Sequence, residues 1–104
     1  MMIARWTCEA KFGMKSEALK LLKEWQEQIG AQVGIETAHI RTITGSVGAN
    51  EAAIQDEFEI NNLAELDDVF TKLAGVKMHA EWGKKMNEVI VSGSTYWEVF
   101  RVVE

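Results

Sequence analysis

Apolar and polar residues alternate with period two from Met2 to Phe12. Met2, Ala4, Trp6, Cys8, Ala10 and Phe12 fall on one side; Ile3, Arg5, Thr7, Glu9 and Lys11 fall on the other. That spacing predicts a strand with one apolar face and one mostly polar face. Gly13 ends it. From Ser16, or from a start nearer Met14, to about Ala31 the spacing becomes helical. Ala18, Leu22, Trp25 and Ile29 form an apolar stripe widened by Leu21, and lysines, glutamates and glutamines fill the opposite side. Gly30 and Gly34 bracket the exit, where a left-handed backbone is easiest without a side chain.

A second strand is expected over Glu36 to Thr44, with Ala38 and Ile40 on one face and His39, Arg41 and Ile43 on the other. Gly45 to Asn50 reads as a hairpin loop leading into a third strand, Ala52 to Ile60. There Ile54, Phe58 and Ile60 should face the helices, and Gln55, Glu57 and Glu59 should face away. Asp56 interrupts the apolar row, which implies either a bulge or a shifted register. Asn61 and Asn62 break the strand and open a helix with Leu63, Leu66, Phe70 and Leu73 on its apolar side. Val76 to Val89 continues it with Met78, Trp82, Met86 and Val89. Gly75 and Gly83 weaken a single rod, so a kink or two pieces is expected. Tyr96 to Val103 closes the chain as a strand whose two faces compete: Trp97, Val99 and Val103 against Tyr96, Phe100 and Val102. Apolarity on both sides implies cover on both sides, which helices on one face cannot supply; a second subunit can.

The order is β-α-β-β-α-β, an α+β domain spanning residues 1–104. With 104 residues, 47% of them hydrophobic, the chain has enough apolar surface for one modest core, and pairing with a second copy would bury more. Eleven basic against sixteen acidic residues leave a net charge of −5, which disfavours nucleic acid and anionic membrane surfaces as partners. Cys8 is the sole cysteine, so no intramolecular disulfide and no multi-cysteine zinc site can form. Neither a signal-peptide pattern nor a membrane-length apolar run is present, and a cytoplasmic protein is the expectation.

With strand, helix, hairpin and aromatic closing strand in place, the chain resembles the dimeric α/β-barrel superfamily. The layout from Ala52-Ala53-Ile54-Gln55-Asp56-Glu57-Phe58 through Trp82-Gly83-Lys84-Lys85-Met86 to Tyr96-Trp97-Glu98-Val99 is similar to NIPSNAP-like and antibiotic-biosynthesis-monooxygenase-like members. The resemblance implies a ferredoxin-like subunit, an antiparallel sheet with helices on one face, and a homodimer whose sheets pair into a barrel. It also implies a range of activities that includes cofactor-independent monooxygenases, small isomerases, haem-degrading enzymes and ligand-sensing modules. Haem-degrading members use an asparagine on the first strand with a tryptophan and a histidine on the second helix. Here the first strand offers Arg5, Thr7 and Glu9, and only His79 lies near an expected position, so no cofactor is expected.

Candidate chemistry concentrates on the polar side of the sheet: Arg5, Thr7, Glu9, His39, Arg41, Gln55 and Glu57. In a paired barrel that side encloses a cavity in which charges perturb one another. His39 is the candidate base and Arg5 and Arg41 the candidate anion holders, with Glu57, Gln55 and Tyr96 as ligand contacts. The competing reading is mutual neutralisation, with both arginines simply paired to Glu9, Glu57 or Glu59. His79 and Trp82, one helical turn apart, could flank a flat ligand or be a half-buried pair in the core. Neither histidine has a second ligand at metal-binding spacing, so no metal is expected. Cys8, with apolar companions on its face, reads as an inert buried thiol. Two functions follow as alternatives: a protein binding an apolar or aromatic metabolite, as a monooxygenase or isomerase, or a non-catalytic ligand-binding or assembly module.

Overall fold

A computed structural model describes residues 1–35 and 39–103. In chain order the elements are β1 (Met2–Glu9), α1 (Lys15–Gln28), a 3-10 turn (Gly30–Val33), β2 (Ile40–Thr44), β3 (Ala53–Ile60), α2 (Leu63–Ala74), α3 (Lys77–Val89) and β4 (Tyr96–Arg101). The strands form one antiparallel sheet in the order β2-β3-β1-β4. The helices pack on one of its faces, giving the expected ferredoxin-like α+β arrangement.

Local chemistry accounts for most boundaries. Asn62 caps α2 by accepting the Glu65 backbone N–H at 3.0 Å, and the Glu65 carboxylate returns to the Asn61 N–H at 2.7 Å. Both contacts satisfy donors that a helix start leaves open. The long second helix is in two pieces, broken at Gly75 and Val76, whereas Gly83 lies inside α3 without interrupting it. Gly34 ends the 3-10 turn at φ 86°, a left-handed backbone that glycine adopts without a Cβ clash.

Several expectations need correction. β1 stops at Glu9, and Phe12 points into solvent instead of joining the apolar face. The cause is a turn closed by Met14 N–H donating to Lys11 C=O, with Gly13 at φ 79°, which ends the two-residue parity. Leu63, Phe70 and Met78 are also exposed; Val69 replaces Phe70 in the buried stripe of α2. Of the two starts open for α1, the one nearer Met14 holds: Met14 is the N-cap, with no side-chain capping bond, and Ser16 lies inside the helix. The proposed start of β2 at Glu36 to Ala38 lies outside the described residues.

Register settles two questions that alternation left open. Residues Met2 to Glu9 pair one for one with Ile60 to Ala53, so β3 has no bulge at Asp56. Asp56 lies opposite Trp6 and Thr42, on the helix side. On β4, Trp97 lies opposite Trp6 and Val99 opposite Ala4, which places them on the helix side too. Tyr96, Glu98 and Phe100 lie opposite Thr7, Arg5 and Ile3 on the open side.

The core divides into two clusters. One gathers Ala4, Phe58 and Ile60 under α2, with Ile29 and Val33. The other gathers Cys8, Ile54, Leu22, Met86 and Val89 between the sheet, α1 and α3. Trp82 packs against both.

Candidate functional site

Between the sheet and the helices lies a cavity of about 440 Å³ that all four tryptophans line. Trp6 and Trp97 come from neighbouring positions on β1 and β4, Trp25 from α1 and Trp82 from α3. Phe58 and Phe70 complete the aromatic wall. Trp97 meets both phenylalanines edge to face, at centroid distances of 6.1 and 5.1 Å. Such tilted and edge contacts suit the ring quadrupoles and hold the rings in fixed orientations.

Two titratable groups enter this wall, Asp56 and His79. The Trp25 indole N–H donates to His79 Nδ1 at 3.0 Å, so Nδ1 carries no proton and the neutral ring holds its proton on Nε2. Burial disfavours the charged imidazolium and moves the His79 pKa below 6.5. The ring stacks on Trp82 at 17°, with centroids 5.8 Å apart. Trp82 is fixed in turn by its Nε1–H, which donates to the Leu21 carbonyl at 2.6 Å.

Asp56 is 8% exposed. The Thr42 hydroxyl donates to its Oδ1 at 2.5 Å, and the Gln26 amide donates to its two oxygens at 3.5 and 3.4 Å. Gln26 also donates to Thr42 Oγ1 at 2.7 Å, which orients that hydroxyl. Burial pushes the Asp56 carboxyl up from its ordinary 3.8, and the two hydrogen-bond donors only partly offset that push. The same negative charge, after burial itself, helps push the nearby Cys8 thiol to about 12, which leaves it protonated and inert.

The sign of the Asp56 shift yields a stability prediction. A carboxyl whose folded value is raised binds its proton more tightly in the native state, so stability falls as pH rises from 3.8 through the raised value. Asp56→Asn should remove that decline. Urea denaturation of both proteins at acidic and neutral pH measures it. A variant that loses stability at neutral pH would show that the carboxylate is well compensated.

The open side of the sheet is built differently. Glu57, 3% exposed, accepts from Arg5 Nε at 2.8 Å and from Arg41 Nε at 2.8 Å. Arg5 Nη2 and Arg41 Nη2 add ion-pair contacts to its two oxygens. Burial acts to raise the Glu57 carboxyl, but hydrogen bonds and charge from both arginines prevail and hold it below the ordinary 4.5. Arg5 also lies over the Phe100 ring, 4.7 Å from its centroid.

The expected site residues therefore separate. Arg5, Arg41, Glu57, Gln55 and Tyr96 share the open face, while His79 and Trp82 line the cavity on the other side. Neither arginine reaches that cavity, and both are engaged with one carboxylate, the neutralisation alternative. His39 precedes β2, is exposed, and borders a separate polar cleft with Glu59, Asn61 and Lys72. Asp56 interrupts the apolar row of β3 in the sequence and, with the pairing unbroken, lines the cavity.

No group of three or more histidine, cysteine, aspartate or glutamate side chains with metal-binding geometry occurs among the described residues. Among them, no helix is long and apolar enough to cross a membrane.

No protein-family model matches the chain, and no curated protein matches it. Solved structures do. A NIPSNAP family protein from Agrobacterium tumefaciens superposes with a TM-score of 0.80 at 14% identity, over 99% of this chain and 93% of that one. A NIPSNAP domain protein from Burkholderia xenovorans gives 0.75 at 13% identity, over 99% and 95%. An antibiotic biosynthesis monooxygenase gives 0.68 at 12% identity, over the whole of both chains. At such identities the likeness speaks to backbone architecture. The chain thus has the ferredoxin-like fold that NIPSNAP and antibiotic-biosynthesis-monooxygenase structures share.

Proposed function

We propose that this protein binds a flat, largely apolar metabolite in the cavity between its sheet and helices, and works as a homodimer paired through the open sheet face. The observation that carries the first part is the aromatic wall: six rings surround about 440 Å³, with one carboxylate and one neutral imidazole among them. Pockets of this kind, apolar with few polar groups, are the usual form of small-molecule sites. Monooxygenase or isomerase chemistry that starts by removing a substrate proton would use Asp56, the carboxylate lining this cavity, as its acceptor. A non-catalytic binding module is the second reading, favoured by the closed Arg5–Glu57–Arg41 cluster, which leaves no uncommitted carboxylate at that point of the open face.

Binding is tested with N-phenyl-1-naphthylamine, a neutral flat probe whose emission rises in apolar surroundings. Saturable enhancement is expected with the native protein. Gly83→Leu should abolish it without loss of fold, since Gly83 lines the cavity and a Cβ there meets nothing within 4 Å. Equal enhancement in the variant would place the probe elsewhere and reject the cavity as the site.

Dimerisation is supported by the exposed Ile43, Tyr96 and Phe100 on the open face, and by the Thr7 hydroxyl, buried there without a partner among the described residues. Burying apolar area contributes roughly 25 cal/mol per Å². Sedimentation velocity at micromolar concentration should give a dimer. A clean monomer would remove this part of the proposal and leave the cavity untouched.

A further inference from the structure

The aromatic cavity contains a carboxylate and nothing to neutralise it. Among the described residues that line it there is no lysine or arginine, and the one other titratable side chain, His79, accepts from Trp25 and is held neutral. The hydrogen-bond donors on Asp56 are a hydroxyl and an amide, both uncharged. A carboxylate accepts at about four lone-pair positions, and one short contact with two long ones leaves capacity unused. Burying such a group without a counter-charge is unfavourable. Four indole rings line the same cavity, and indole faces attract cations.

Charge complementarity and ring geometry point to one class of occupant. We infer that the cavity takes a flat aromatic ligand bearing a protonated amine, with its cation on Asp56 and its ring among the tryptophans. This rests on the reading of the cavity as a binding site and adds what that site selects. A neutral aromatic would fill the volume but leave the buried charge unanswered, and an anion would be repelled by it.

Three probes of one ring system separate the possibilities: 1-naphthylmethylamine, 1-naphthylmethanol and 1-naphthoate, titrated calorimetrically at neutral pH. The amine, protonated there, should bind at least about tenfold more tightly than the alcohol, as a charge-assisted contact in place of a neutral one allows. The naphthoate should show no heat of binding. In Asp56→Asn the amine's advantage over the alcohol should disappear. The ranking on the native protein is decisive even if that variant fails to fold. Equal affinity for amine and alcohol, or uptake of the naphthoate, overturns the cation inference and leaves the binding site standing. An advantage that persists in Asp56→Asn traces to the acidic surface at large and overturns the role of Asp56. Failure of all three probes to bind overturns both readings.

Discussion

Replacing Trp82 with alanine is expected to destabilise the fold by about 3–5 kcal/mol. Trp82 packs against both core clusters, so its removal opens a void where the two meet. The loss also strips the Leu21 carbonyl of its indole donor and leaves His79 without its stacking partner. Because the ring also forms part of the cavity wall, probe binding should fall with stability. Urea denaturation measures the first effect through the midpoint at constant slope. A midpoint within error of the native one would mean that Trp82 rests in solvent, contrary to its packing between the two clusters.

Glu57→Ala is expected to cost about 2 kcal/mol, the second largest effect of a single change here. The carboxylate joins β1 to β2 across β3 through Arg5 and Arg41, and its removal leaves two guanidinium groups facing each other. The cost is kept below that of a fully buried pair because Arg41 is 69% exposed in the single chain. The pH dependence has the opposite sense to that of Asp56. A carboxyl held below its ordinary 4.5 contributes stability that is present above that value and lost as pH falls through the lower, folded one. Glu57→Gln should therefore flatten the acid limb of a stability–pH curve. If native protein and Glu57→Gln lose stability in parallel on acidification, the two arginines do not hold the carboxylate as described.

The two neighbouring carboxylates show how far alternation can be read. Asp56 and Glu57 are adjacent in sequence, so on a regular strand one faces the helices and the other the open side. Parity alone put Glu57 correctly on the polar face. It also put Asp56 on the apolar face, where the charge suggested a bulge. The unbroken pairing of β3 with β1 removes the bulge, and the same position becomes a polar point of the aromatic cavity. The partners that make this tolerable, Gln26 on α1 and Thr42 on β2, are remote along the chain, and no local pattern couples them to Asp56.

Sequence by itself determined the order of elements, the single apolar face of β1, the open polar face of the sheet and the break near Gly75. Each is a consequence of local backbone preference or of a two- or 3.6-residue period, and needs no knowledge of distant segments. Tertiary structure decided the rest. The faces of β4 became assignable only through its pairing with β1, since both of its sides are apolar. The aromatic cavity lies on the helix side because four tryptophans scattered from Trp6 to Trp97 converge there once the helices pack. Arg5 and Arg41 meet on Glu57 only because the register of β1, β2 and β3 brings the three together. Periodicity says which way a side chain points; only the packing of remote segments says what it meets.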